Sequence, residues 1–335
     1  MTTRSPATSF AALAVIFLLC CTLGRAHAEQ PDIKIATAYA ADNFQTKNLQ
    51  QFANDVSVAT KGAVTLKIFS AGSLLAPKDI FSGTRTGKAD GGEVMMSSLA
   101  KEDAIFGMDA LPFIVSSYDD ARHMWDASRG TVAKALDARG LQLLYAVPWP
   151  PQNVYTNRPM TTTQDFRGQR LRTYNPATER IADLLGAKPV RIEVVDLARS
   201  IADDKFDLMF TSSWTGVETK AWSKMRYYYR AGAWFPKNVV FINKQVFEAL
   251  QPAQKKALLE QASVAETRGW KMSQDSDAGY ETQLAANNVT VSNIDPFIRH
   301  GLDRLGETLA REWLKQAGRD EWQVLLKYTT ERSQK

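Results

Sequence analysis

Between Gly168 and Gly186 the chain spells out a strand, a tight turn and a helix, and this unit restricts the possible architectures more than any other stretch. Gln169 to Tyr174 is short and bounded by Gly168 and Pro176, as a strand in an αβ unit should be. Asn175 has the side chain of an N-cap and Pro176 suits the first helical position. Ala177, Ile181, Leu184 and Leu185 then recur at helical spacing until Gly186 ends them. The strand delivers Arg172 to the mouth of that helix. In open α/β folds, the carboxyl end of a strand facing an unsatisfied helix N-terminus is where anions bind. The local chemistry points to a carboxylate or phosphate, the alternative being a surface arginine in a weak ion pair.

The remaining segments extend the same alternation. Asp32 to Ala40 alternates like a strand, Asp42 can cap a helix with Leu49, Phe52, Val56 and Ala59 on one face, and Val64 to Phe69 and Ala89 to Ser98 read as further strands. Such a βαβαβ order specifies an α/β sheet. Tyr118 to Arg139 reads as a helix that Gly130 can interrupt, and Leu141 to Val147 as a strand leading into Pro148-Trp149-Pro150-Pro151. Three prolines in that run make a stiff crossing, either a hinge between lobes or a rigid surface loop. Phe206 to Phe210 is a strand that ends at Thr211, Ser212 and Ser213, which can donate to a ligand or simply cap a helix. Trp149 and Trp214 lie beside a crossing or strand end, as pocket walls or core residues. Ala233 to Asn243 returns as a strand, a helical pattern runs from Pro252 toward Asn287, and Asp295-Pro296 caps a last amphipathic helix with Ile298, Leu302, Leu305, Leu309 and Trp313 on one face.

At 335 residues and 44% hydrophobic composition the chain exceeds what one core usually organises, so two lobes are expected. Residues 29–150 form the first, 151–236 the second and 237–265 a return to the first, while 266–335 complete a long spanning helix and C-terminal helices packed on the second lobe. Residues 1–28 have the grammar of a cleaved secretory signal: Arg4, an apolar run from Phe10 to Leu23, and Ala26-His27-Ala28 before the cut. Cys20 and Cys21 both fall inside it, so an exported chain carries no thiol, disulfide or cysteine metal site. The formal charge of +5 falls to +3 without Arg4 and Arg25, and the remaining charges are interspersed, which gives no footprint for nucleic acid.

Catalytic patterns are missing. His123 and His300 belong to no metal or hydrolase motif, there is no G-x-S-x-G, and no glycine-rich phosphate loop follows a strand. Adjacent acids such as Asp119-Asp120 do not aim two carboxylates at one point. No catalytic residue, metal or cofactor is therefore assigned. The competing readings are a secreted cleft hydrolase or isomerase, and a binding protein serving an ATP-driven importer or a sensor.

The segment G-x-[RK]-[LI]-R-x-x-N, here Gly168 to Asn175, followed by LLGAKPV, resembles the solute-binding proteins of TRAP transporters (tripartite, ATP-independent, periplasmic) of the DctP type. FSAGSLL, ALPFIVSS, YTNRPM and KNVVFINKQVFEALQPAQKKAL extend the likeness over nearly the whole mature chain. The resemblance implies a two-lobed, type II-like periplasmic-binding-protein fold, each lobe a mixed sheet flanked by helices, with a long helix bracing both. It implies a periplasmic receptor, not an enzyme, that closes on a small organic acid and serves a small and a large integral membrane subunit. Arg172 would fix the carboxylate, Asn175 would add an amide beside it, and Thr211 and Ser212 would be further donors. One departure stands out. Many relatives carry a second arginine just before the YTNRP segment, where this chain has Gln152. An amide cannot neutralise a second buried carboxylate, so a monocarboxylate, such as an aromatic, hydroxy or keto acid, is expected in preference to a C4-dicarboxylate, with an apolar or aromatic body against Trp149 and Trp214.

Overall fold

In the computed structural model, which describes residues 1–2 and 32–333, the first sheet begins with β1 (Ile33–Thr37), β2 (Leu66–Phe69), β3 (Gly91–Met95) and β4 (Leu141–Pro148). The proposed signal segment lies outside the described residues. The chain then builds a second sheet from β5 (Asn153–Thr156), β6 (Arg170–Thr173), β7 (Lys188–Arg191), β8 (Leu208–Thr211) and β9 (Tyr227–Arg230). It returns through β10 (Lys237–Asn243) to the first sheet and adds β11 (Thr290–Asn293) to the second. The strand orders are β2-β1-β3-β10-β4 and β11-β9-β5-β8-β6-β7. β1 runs parallel to β2 and β3, whereas β10 is antiparallel to both neighbours. β6 likewise lies between two parallel partners, β7 and β8. Both lobes are thus mixed sheets.

The two crossings lie side by side. Trp149 N–H donates to Pro236 O at 2.8 Å, Gln152 N–H to Trp234 O at 2.9 Å, and Ala233 N–H back to Gln152 O at 2.9 Å. Two extended segments thus cross between the lobes as a bonded pair.

Helices cover the sheets for reasons visible in their caps. α1 (Phe44–Ala59) is capped by Asn43, whose side chain accepts from Gln45 N–H at 2.9 Å, and not by Asp42 as expected. After α2 (Ile80–Arg85), α3 (Tyr118–Asp137) runs through Gly130 without a break. α4 (Pro176–Leu185) has the expected Asn175 cap and ends on Gly186 at φ 66°, the left-handed conformation that favours glycine. Leu184 points outward, and Ile181 and Ala182 carry the buried face. Three short helices follow, α5 (Leu197–Ala202), α6 (Ser213–Glu218) and α7 (Lys244–Ala249). α8 (Pro252–Ala286), 35 residues long, buries Leu258, Ala262, Ala265 and Trp270 in the first lobe's core and Leu284 in the second's. It spans both.

The C-terminal helices divide between the lobes. α9 (Pro296–Gln316) inserts Ile298, Leu302, Leu305 and Leu309 into the second lobe. Its Trp313 leaves that group and joins the first core, where Nε1–H donates to Ala104 O at 2.7 Å. α10 (Arg319–Ser333) lies along α3 and adds Val324 and Tyr328 to the first core, not to the second lobe as expected of the C-terminal helices. Local periodicity identifies an apolar face but not its partner, which accounts for the difference. Among the described residues no helix is long and apolar enough to cross a membrane.

Candidate ligand-binding site

Where the two lobes face each other they line a partly open cavity of about 200 Å³. β6 carries Arg172 into its wall. Leu171, on the opposite face of the strand, packs in the second lobe's core, so alternation along the strand fixes the direction of Arg172. The arginine is only 4% exposed, its Nε–H donates to Ile192 O at 3.2 Å, and its guanidinium carbon sits 4.4 Å from the centre of the Tyr174 ring. Burial pulls its pKa down to about 10, partly offset by the charge of Glu193 and by Tyr174. Glu193 does not pair with it, being held instead by Arg191 through Nε and Nη2 at 3.1 Å each. Among the described residues no carboxylate forms an ion pair with Arg172. A buried guanidinium turned to a cavity without an acid partner is poised for an anion, and its planar fork matches a carboxylate.

Four other expected residues line the same cavity: Trp149, Gln152, Thr211 and Ser212. Gln152 is fixed by its own bonds, Nε2–H to Pro150 O at 3.0 Å and Oε1 accepting from Tyr174 O–H at 3.4 Å. Trp149 donates its indole N–H to Asn238 Oδ1 at 2.9 Å, so its ring forms a fixed wall. Ser212 is the N-cap of α6, its Oγ accepting from Thr215 N–H at 3.2 Å, as the capping alternative required.

Two expected residues are placed elsewhere. Asn175 Oδ1 accepts from Thr178 N–H at 2.8 Å and its Nδ2–H reaches across to Ser97 Oγ at 2.8 Å. Its amide is consumed by the cap and by a contact between lobes, and it does not line the cavity. Trp214 stands one ring behind the wall, edge-on to Phe44 at 5.5 Å and to Tyr280 at 4.7 Å, while Phe44 in turn meets Trp149 at 5.1 Å. The two indoles therefore do not clamp a ligand between them.

The cavity also includes residues that no sequence motif singles out, chiefly Glu93, Tyr39 and Tyr174. Glu93 had a legible signal, as the one charge within the otherwise apolar run of β3. Such a charge is seldom fully buried without a purpose. Tyr174 closes the strand that carries Arg172, and burial pushes its pKa up to about 12.

Paired lobes, a bonded double crossing and a cleft lined by a buried guanidinium define the architecture of a solute-binding receptor. The chain belongs to the bacterial extracellular solute-binding proteins, family 7, the DctP family, whose profile matches residues 35–316. The family suggested by the motifs is thus the family found. The chain is similar to DctP6 of Bordetella pertussis, an extracytoplasmic solute receptor binding pyroglutamic acid, with 34% identity and a TM-score of 0.88 over 90% of this chain and 100% of that one. A marine metagenome TRAP solute-binding protein specific for pyroglutamate is 31% identical, also with a TM-score of 0.88, over 90% of this chain and 99% of that one. The 2,3-diketo-L-gulonate-binding periplasmic protein of Escherichia coli is 26% identical over 62% of this chain and 64% of its own. The chain spans between about half and two thirds of the length of the curated relatives it matches.

Proposed function

We propose that this protein is the extracytoplasmic receptor of a TRAP transporter, capturing a small monocarboxylate of the pyroglutamate type by lobe closure and passing it to a small and a large integral membrane subunit. Arg172 carries the reading. It is a buried cation at the cavity with no acid partner among the described residues, and it would take the carboxylate as a bidentate pair. Gln152, Thr211 and Ser212 would supply neutral contacts, and Trp149 an apolar wall. The second arginine at the cavity, Arg191, is already engaged by Glu179 at 2.8 Å and Glu193 at 3.1 Å. Arg172 is the buried cation of this lining among the described residues, whereas Lys78, which also lines it, is exposed, so one carboxylate is favoured. The relatives at 31–34% identity whose ligand is pyroglutamate support a compact cyclic acid over the extended dicarboxylates.

Export through a signal cleaved after Ala28 is part of the same reading, and intact-mass measurement of exported protein starting at Glu29 tests it. The ligand class is tested by thermal-shift screening of the mature chain. A ligand at 100 times its dissociation constant adds about 2.7 kcal/mol to stability. Pyroglutamate is expected to raise the melting temperature clearly, with succinate and malate giving little change. A strong response to the dicarboxylates alone would overturn the monocarboxylate assignment.

A further inference from the structure

Across the cavity from the second lobe's arginine, the first lobe contributes a buried acid. Glu93 sits in the middle of β3, in register with Thr37 of β1 on one side and Val240 of β10 on the other, and is 1% exposed. Its two oxygens are each met by one neutral donor. Thr37 Oγ1–H donates to Oε2 at 2.6 Å and Asn238 Nδ2–H donates to Oε1 at 3.1 Å. The direction of the Asn238 amide is set from behind, because its Oδ1 already accepts from Trp149 Nε1–H at 2.9 Å and from Tyr39 O–H at 3.2 Å. The amide therefore turns its N–H to Glu93 and cannot flip without losing both bonds.

No arginine, lysine or histidine among the described residues forms an ion pair with Glu93. Its charge bears on the buried phenols of Tyr39 and Tyr145, neither of which can neutralise it, and burial raises its own pKa. A carboxylate has about four lone-pair positions, and two are filled. An isolated buried carboxylate is expensive, and a structural role would be served at lower cost by glutamine, which offers the same shape without the charge. The acid lines the cavity, so the donor that completes its shell can come from a ligand.

We propose that Glu93 is a specificity-determining acceptor for an N–H carried by the bound acid, so that the cavity selects carboxylates that also present an amide N–H, with lactam acids as the class. This rests on the reading of Arg172 as the carboxylate anchor. The two groups stand on different sheets, Arg172 on β6 and Glu93 on β3. A ligand offering both a carboxylate and an N–H engages both lobes at once, whereas one lacking the N–H leaves the first lobe's acid without its third donor. Differential contact of this kind is what a closure equilibrium responds to. It also explains why the Thr37–Glu93–Asn238 bonds are built so firmly: an acceptor has to be held in place to discriminate. A ring oxygen in place of the N–H would set lone pairs against the carboxylate, and sites built to bond a donor reject isosteres that lack it far more strongly than apolar pockets reject a missing methylene.

The test compares pyroglutamate with its lactone isostere, 5-oxotetrahydrofuran-2-carboxylate, by titration calorimetry on the mature chain, wild type and Glu93→Gln, with thermal melts to establish folding. Wild type is expected to prefer the lactam by about thirtyfold or more. In Glu93→Gln the preference is expected to shrink to about fivefold or less, because the new amide can turn a donor toward the ring oxygen. Wild type binding both compounds within threefold overturns the proposal without any variant, and so does a folded Glu93→Gln that keeps the full preference. Failure of wild type to bind either compound would instead contradict the carboxylate reading of Arg172, and with it this inference.

Discussion

The guanidinium of Arg172 lies over the face of Tyr174, 4.4 Å from the ring centre, and the Tyr174 hydroxyl is anchored in turn to Gln152 Oε1 at 3.4 Å. The ring supports the guanidinium from beneath, and both residues line the cavity. Tyr174→Phe keeps the ring and is expected to lose less than about 1 kcal/mol of ligand affinity. Tyr174→Leu removes the cation–π contact and should weaken binding by about 1–2 kcal/mol, since desolvated contacts of this type lie at the upper end of their range. Calorimetry on the two variants separates ring from hydroxyl; equal losses would show that the face contact contributes nothing.

The bracing helix rests on one glycine. A Cβ added at Gly269 would lie 2.4 Å from Val147 Cγ2 and 2.7 Å from Asn48 Nδ2, so the missing side chain is what brings α8 against β4 and α1. Alanine gains about 1 kcal/mol of helix propensity there, yet overpacking costs about 1–3 kcal/mol, and Asn48 is tied down by bonds to Ala265 O and Arg268 Nε. Gly269→Ala is expected to destabilise in urea melts. Gly279, in the same helix with nothing within 4 Å of its added Cβ, is the control: Gly279→Ala should stabilise by about 0.5–1 kcal/mol.

A buried pair at the second crossing gives a pH signature. Asp109 Oδ2 accepts from Lys237 N–H at 2.6 Å and lies 3.8 Å from Lys237 Nζ, with both side chains almost completely buried. Burial raises the Asp109 pKa to about 6, against the lowering effect of the Lys237 charge. The folded chain therefore holds this proton more tightly than the unfolded chain. The corresponding stability is fully present below the ordinary aspartate range and is lost as pH rises through about 6. Asp109→Asn mimics the neutral acid, so it should match wild type near pH 4 and gain on it by roughly 1–3 kcal/mol above pH 6. Urea melts across this range check it, and a deficit independent of pH would show that the ionisation of Asp109 is not what the fold resists.

What the sequence made legible was local. The strand carrying Arg172, the Asn175 and Asp295 caps, the glycine stop at Gly186 and the proline-started long helix all depend on neighbours within a turn or two, and each is found where the pattern put it. Side-chain destinations were another matter. Asn175 was identified as a cap, but the free half of its amide finds Ser97, 78 residues away. Trp214 lies on a helix of six residues, too short for any periodicity to say whether it faces the cavity or Phe44. The Glu93 cluster joins Thr37 and Asn238, which are 56 and 145 residues from it. Such convergence is a property of sheet register, which no single segment encodes.

The anchor itself is tested most directly by titration calorimetry of pyroglutamate against Arg172→Ala and Arg172→Lys. The exposed Arg167→Ala and Arg319→Ala serve as controls, with circular dichroism to establish folding. Leaving the ligand carboxylate unpaired in a closed cavity should cost about 2–5 kcal/mol, roughly thirtyfold to several-thousandfold in dissociation constant. Lysine keeps the charge but not the fork, and should also bind poorly. The controls should each change by less than about 1 kcal/mol. A folded Arg172→Ala that binds within threefold of wild type would contradict the assignment and place the anchor elsewhere.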